Sequence, residues 1–223
     1  LTTDIEPKYQ IPGFTLFTTN NASNAGGVAL YLRESLHGNI IPDLSMCRPN
    51  CESLFVEYFT NTKESKTIGI IYRRETDVRG FMTELTRILG HSKVNNKNCL
   101  IMGDFNINLI EYGKRALVTD LVELMADHSF FSCINKPTRV TNHSATIIDH
   151  IWSNDIASER TNGILLTDAS DHFSPFTINY DRQPVPGKQK TTKIQFRDYK
   201  NVPDPELVQE MHRLCSNATF GEN

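Results

Sequence analysis

The chain has 223 residues, of which 39% are hydrophobic and 22% charged, with a formal net charge of −3. That balance fits a folded domain and argues against disorder, no apolar run approaches the roughly 18 residues that a membrane-spanning helix needs, and Leu1 to Gln10 lacks the apolar stretch of a signal peptide. A protein that held DNA by charge alone would usually be basic, so action on nucleic acid here requires a bound cation to meet the phosphate.

Residues 1–26 are polar and read as a short strand, Phe14 to Thr18, and a loop with the Asn-rich stretch Asn20 to Asn24. Gly27-Val-Ala-Leu-Tyr-Leu-Arg33 is a compact apolar run expected to form a buried strand. Residues 34–50 read as irregular. Ser53 to Phe59 and Thr67 to Tyr72 are rich in β-branched and aromatic residues and flank a polar turn, Asn61 to Ser65, which predicts an antiparallel pair. Asp77 can cap a helix in which Phe81, Leu85, Ile88 and Leu89 recur at helical spacing before Gly90. Cys99 to Met102 is a short buried strand ending at Gly103-Asp104, and residues 114–127 form a second amphipathic helix. Short strands follow at Phe130 to Ile134, Ile147 to Trp152 and Phe173 to Asn179. From Asp181 to Lys200 there are six Lys/Arg against two Asp, with Pro184, Pro186 and Gly187, which reads as a basic linker; a short helix near Pro205 to Leu214 follows. Alternating strands and helices with many antiparallel pairings predict an α/β sandwich, and no Gly-rich phosphate loop supports a Rossmann-type sheet. The five cysteines lack zinc-site spacing and read as reduced thiols of an intracellular protein.

Three stretches can carry chemistry. In Gly103-Asp104-Phe105-Asn106, a glycine permits a sharp turn at a strand end and a carboxylate and an amide sit two residues apart, on one side of extended backbone. In Ile147-Ile148-Asp149-His150-Ile151-Trp152 an acid interrupts an apolar strand, and a buried carboxylate needs a partner. In Ser170-Asp171-His172 an imidazole stands beside an acid and can act as acid, base or phosphate ligand, with a second carboxylate, for which Asp149 is the candidate, fixing its tautomer. Each stretch alone is also what an ordinary turn or edge strand carries; their combination, in this order, is far more specific.

Together they resemble the endonuclease/exonuclease/phosphatase superfamily, and within it the apurinic-type endonucleases of non-LTR (LINE-type) retrotransposons. Gly26 to Tyr31, Glu52 to Glu57, Ile71-Tyr72-Arg73 and Pro137-Thr138-Arg139-Val140-Thr141 are similar to that subgroup as well. The resemblance covers residues 1–180 and implies a four-layer α/β sandwich, two packed β-sheets flanked by helices, with residues 181–223 leading to a downstream reverse-transcriptase domain. It implies a DNA endonuclease using Mg²⁺, with Mn²⁺ as the alternative, that nicks target DNA and leaves a 3′-hydroxyl able to prime reverse transcription, acting in the nucleus and not at a membrane. By the same resemblance Asp104 would orient or deprotonate the attacking water and contribute to the metal site. Asn106 would hold that water and a phosphate oxygen, His172 would contact the scissile phosphate, and Asp149 would orient His172. Asp171 would belong to the metal site, Tyr72 would approach the phosphate and leaving oxygen, and Ser170 would support the loop. Thr138 or Thr141, with Arg139, would contact DNA.

The chain departs from the family at its start. Members begin with a strand carrying an Asn and another ending in a metal-binding Glu, whereas Leu1-Thr-Thr-Asp looks like the residues just after that Glu. The sandwich is therefore expected to be incomplete at its N-terminus, and this chain to nick DNA weakly or not at all while an N-terminally extended form does so. Two other readings stand beside the nuclease: a phosphodiesterase or phosphatase of the same superfamily with another substrate, and a degenerate, non-catalytic nucleic-acid-binding remnant.

Overall fold

The computed structural model describes residues 9–19, 27–60, 64–95, 98–167, 170–180 and 209. The basic stretch 181–200, the helix expected at 205–214 and the Asn-rich loop 20–24 lie outside the described residues. So does most of the turn expected at 61–65. The chain divides into two units, Leu1–Arg182 and Gln183–Asn223, and the first contains the sandwich and its candidate site.

Strand β1 (Phe14–Thr19) pairs antiparallel with β2 (Val28–Arg33). The short β3 (Gly38–Ile40) and β4 (Met46–Cys47) both pair with β5 (Cys51–Phe59), which runs antiparallel to β6 (Ser65–Arg73) over its whole length. Helix α1 (Val78–Leu89) and the single turn α2 (Ser92–Asn95) then carry the chain to β7 (Asn98–Asp104), which lies parallel to β6. A parallel neighbour demands such a crossover, because a tight turn can only reverse the chain. Helix α3 (Ala116–Asp127) follows, then β8 (Phe131–Ser132), the two-residue pair β9 (Arg139–Val140) and β10 (Ala145–Thr146), and β11 (Asp149–Ser153). The hairpin β12 (Arg160–Leu165) and β13 (Ser174–Asn179) ends the described fold. The central sheet has seven strands in the order β3-β5-β6-β7-β11-β8, with β4 beside β5.

Alternation along the strands sorts side chains to two faces. Phe55, Ile71, Cys99, Ile101 and Trp152 point to one face and pack against Phe81, Leu85, Ile88 and Leu89 of α1 and Val118, Leu121 and Met125 of α3. The helical spacing read from the sequence is this packing stripe. As expected, Asp77 caps α1, its carboxylate accepting from the Gly80 N–H at 2.9 Å, and Gly90 closes it. On the opposite face, Leu54, Val56, Ile70 and Tyr72 meet Val28, Leu30 and Leu32 of β2. Farther along that face, Leu100, Met102 and Ile151 meet Ile134, Ile147 and Ile164.

The result is an α/β sandwich. Its second β layer consists, among the described residues, of two separate hairpins, β1–β2 and β12–β13, and the described helices pack on the other face of the central sheet. Several local readings change. The run Gly27–Arg33 is not buried on both sides: Val28 and Leu32 are buried while Ala29, Tyr31 and Arg33 are exposed, as befits an outer-layer strand. Residues 34–50 hold β3, β4 and a 3-10 turn at Pro42–Leu44. Only Phe131–Ser132 of Phe130 to Ile134 is strand, and the β11 strand starts at Asp149 rather than Ile147. The β12 strand, polar and glycine-containing, gave no signal in the sequence.

Candidate active site

The Asp104 residue ends β7 and Asp149 begins β11, and the antiparallel register sets these two directly opposite each other. The Tyr72 side chain lies on the same face of β6, opposite Glu52 of β5. Continuing the β6–β7 register beyond Ile70 and Met102 brings Tyr72 level with Asp104. A row of polar groups thus crosses neighbouring strand ends on the face away from the helices.

The turn after β7 is tightly determined. The Gly103 backbone has φ +137°, and a Cβ there would lie 1.9 Å from the Ile71 carbonyl oxygen, so only glycine lets β7 approach β6 so closely. The next side chain but one, Phe105, is fully buried, stacked on the His150 ring at 4.7 Å and edge-on to Phe81 at 6.0 Å. With Phe105 anchored inward, its neighbours are left outward. The Asn106 backbone adopts φ +50°, a conformation that Asn tolerates better than most residues. Its N–H donates to Asp104 Oδ1 at 2.9 Å and its amide to the Arg73 carbonyl at 2.9 Å.

Opposite stands an imidazole–carboxylate pair. The Nδ1 of His172 lies 3.1 and 3.0 Å from the two Asp149 oxygens. An ionised carboxylate can only accept, so Nδ1 carries the proton, leaving Nε2 free to face a ligand. Ligand atoms of Asp104, Asp149 and His172 all lie within 4.8 Å of one another. Burial, reinforced by the neighbouring Asp149 charge, holds Asp104 above the ordinary carboxylate value; the Asn106 N–H, His172 and Arg73 oppose the rise.

The remaining expected residues serve these. The Ser170 hydroxyl donates to the His172 carbonyl at 2.9 Å and accepts from its N–H at 3.0 Å, which fixes the loop. The Thr138 side chain is fully buried. Its hydroxyl oxygen accepts from the Ile148 and Asp149 N–H groups at 3.2 and 3.1 Å, and its carbonyl accepts from Phe173 N–H. One residue thereby ties the start of β11 to the His172 loop. The Thr141 hydroxyl is exposed at the tip of the β9–β10 turn, 2.9 Å from Ser144 Oγ. The Asp171 carboxylate is bound by Arg139, with Nε at 2.8 Å and Nη2 at 2.6 Å, and this pairing holds it below the ordinary carboxylate value. Asp171, expected at the metal site, and Arg139, expected at DNA, engage each other in this structure.

Among the described residues Asp104, Asp149 and His172 form a group that could hold a metal ion. The Asp104 and Asp149 carboxylates are the residues that would hold it.

Three side chains of this region carry no role in the sequence reading. The Glu52 carboxylate is fully buried and accepts from the Gly27 N–H and from Arg74, so β5 is tied to the start of β2. The reasoning that singled out Asp149, an acid in an apolar strand, applies equally to Glu52 and would have found it. The third, Arg73, is buried with its guanidinium on backbone carbonyls.

The fold around this site is similar to that of solved endonuclease/exonuclease/phosphatase family proteins. More narrowly, residues 67–176, which span Tyr72 through His172, match the family described as endonuclease-reverse transcriptase. Similar solved structures include the endonuclease domain of TRAS1, a telomere-specific non-LTR retrotransposon, with a TM-score of 0.61 at 16% identity over 76% of this chain and 79% of that one. The catalytic domain of Xenopus laevis APE2 gives 0.56 at 16% identity over 78% and 77%. A family protein from Bacteroides thetaiotaomicron gives 0.56 at 14% identity over 75% of each chain. At such identities the structures show a shared fold. No curated protein matches the sequence.

Proposed function

We propose that the chain is the endonuclease part of a non-LTR retroelement protein, a metal-dependent enzyme that nicks target DNA and leaves a 3′-hydroxyl to prime reverse transcription. The observation that carries this is the His172–Asp149 pair at 3.0 Å, facing Asp104 across the ends of β7 and β11. The family match over residues 67–176 supports the choice of DNA as substrate and of a reverse transcriptase linked in the same polypeptide, reached through residues 181–223. A chromosomal substrate requires the protein to act in the nucleus.

In this mechanism Asp104 accepts a hydrogen bond and then the proton from the attacking water, a task suited to a carboxylate held above its ordinary value. The Asn106 residue steadies that water beside the phosphate. His172 directs Nε2 at a non-bridging oxygen while Asp149 holds the Nδ1–H and orients the ring. The Tyr72 hydroxyl approaches the leaving oxygen. A bound Mg²⁺ or Mn²⁺ supplies Lewis-acid polarisation of the phosphate and neutralises charge on the leaving group.

The test is nicking of supercoiled plasmid with and without Mg²⁺, on the 223-residue chain and on a form carrying any coding sequence found upstream of Leu1, with Asp104→Asn and His172→Ala beside each. Nicking that needs the cation and both side chains supports the proposal. Salt-dependent DNA binding without cleavage in both forms would replace it with a non-catalytic binding role. Cleavage of a small phosphomonoester in preference to DNA would replace it with a phosphatase of the same superfamily.

A further inference from the structure

We infer that Arg73, on the assumption that the proposed phosphodiesterase site is correct, is the positioning residue that holds the Asp104–Asn106 turn in its working shape. The guanidinium reaches under the turn from the end of β6. Its Nε donates to the Phe105 carbonyl, Nη2 to the Asn106 carbonyl at 2.8 Å, and Nη1 to the Arg74 carbonyl at 3.2 Å. The exchange is reciprocal, since the Asn106 amide donates back to the Arg73 carbonyl at 2.9 Å. Side chain and backbone of one residue therefore grip backbone and side chain of the other.

What is unusual is the choice of partner. The Arg73 residue is only 4% exposed, and a buried charge is costly unless well satisfied. Its bonds to Phe105, Asn106 and Arg74 all go to carbonyls, and its planar fork can address two adjacent ones in a fixed geometry, as a lysine ammonium cannot. The Phe81 ring below it, 5.8 Å from the guanidinium carbon to the ring centroid, accepts the cation's face. The two clasped carbonyls flank the left-handed Asn106 backbone, which needs external support to persist. An apolar side chain would fill the same space at lower desolvation cost, but it would leave two carbonyls unmet and Asn106 free to relax.

The variants are Arg73→Met, which keeps length and removes every donor, and Arg73→Lys, which keeps the charge and removes the fork. Each is read by amide hydrogen exchange and by nicking kinetics. Arg73→Met is expected to raise exchange at the Asn106 amide at least tenfold while amides of the β5–β6 ladder stay as in the parent chain, and to lower kcat at least thirtyfold with KM within about twofold. Arg73→Lys is expected to recover part of each loss. Parent exchange at Asn106, or parent kcat, in Arg73→Met overturns the inference; if that variant does not fold, the same outcome in Arg73→Lys overturns it. Nicking kinetics are read in whichever of the 223-residue and N-terminally extended forms nicks; where neither does, the nuclease proposal is what fails, and exchange at Asn106 still decides the role of Arg73.

Discussion

The two faces of the central sheet are covered to different degrees. Toward α1 and α3, the side chains Phe55, Ile71, Cys99, Ile101 and Trp152 are at most 2% exposed. Toward the hairpins, Leu54, Val56 and Ile151 are as well buried, but Ile70, Tyr72, Leu100 and Met102 of β6 and β7 are only half-buried. The helical face is where apolar surface leaves water most completely and so where stability concentrates. The hairpin face is partly open, and the candidate catalytic groups stand along its edge. A carboxylate and an imidazole can keep their polarity there without the full cost of burial, and a phosphodiester can reach them.

The largest effect expected is on chemistry. His172→Ala and Asp104→Asn should each lower nicking by about a thousandfold or more, measured on supercoiled plasmid, while Asp104→Asn melts at or above the parent temperature. The sign follows from the raised pKa of Asp104: its folded form binds a proton more readily than the unfolded one, so its ionised form opposes folding at neutral pH. A marked loss of stability in Asp104→Asn would contradict the view that this edge is polar at a cost to the fold.

The contrast in packing can be tested directly. On the helical face Phe81→Ala should cost about 3–5 kcal/mol, whereas Met102→Ala on the hairpin face should cost less than half as much; equal losses in urea titrations would dissolve the comparison.

The His150 side chain belongs to the helical face despite its neighbour Asp149. It is fully buried, its Nε2 lies 2.9 and 3.1 Å from the Ile107 and Ile147 carbonyl oxygens, and burial pulls its pKa down to about 4. The ring is neutral in the fold and takes a proton first in the unfolded chain. Its contribution is therefore intact above about pH 6.5 and is lost as pH falls toward 4, by about 3 kcal/mol in all. Comparing urea midpoints at pH 7.5 and 4.5 in the parent and in His150→Phe checks this, because the variant should lose that part of the pH dependence.

Smaller again is Thr138→Val, which keeps the shape and strips two N–H groups of their acceptor, at about 1–3 kcal/mol; if Thr138 sets the Asp149–His172 pair, kcat should drop in this variant with KM steady. Smallest is Arg139→Ala. The Arg139–Asp171 pair is exposed on both sides, and such pairs contribute little, so the melting temperature should not move.

Much of this was legible in the sequence because it is local. Helix α1 follows from Asp77, the spacing of Phe81, Leu85, Ile88 and Leu89, and Gly90. The β5–β6 pair follows from two β-branched runs about a turn. Three polar interruptions at strand ends pointed to residues 104–106, 149 and 170–172. The second β layer was harder to read: β12 is polar and contains Gly163, and nothing in its pattern separates it from a loop. The partners of individual side chains were not legible either. Thr138 and Thr141 look alike along the chain, but one is buried under β11 and the other stands at a turn. Glu52 and Arg73 sit inside apolar strands and show their use only when Gly27, Arg74 and the Asp104–Asn106 turn arrive from elsewhere.

What the sequence determined by itself was periodicity and punctuation: which segments bury a face, where strands end, and which residue types occupy those ends. Tertiary structure alone decided which groups meet. The Asp149 carboxylate takes His172 and the Asp171 carboxylate takes Arg139, although Asp171 is the sequence neighbour of His172, because a hydrogen bond is chosen by distance and direction in space and the strand register that sets both is a property of the whole sheet.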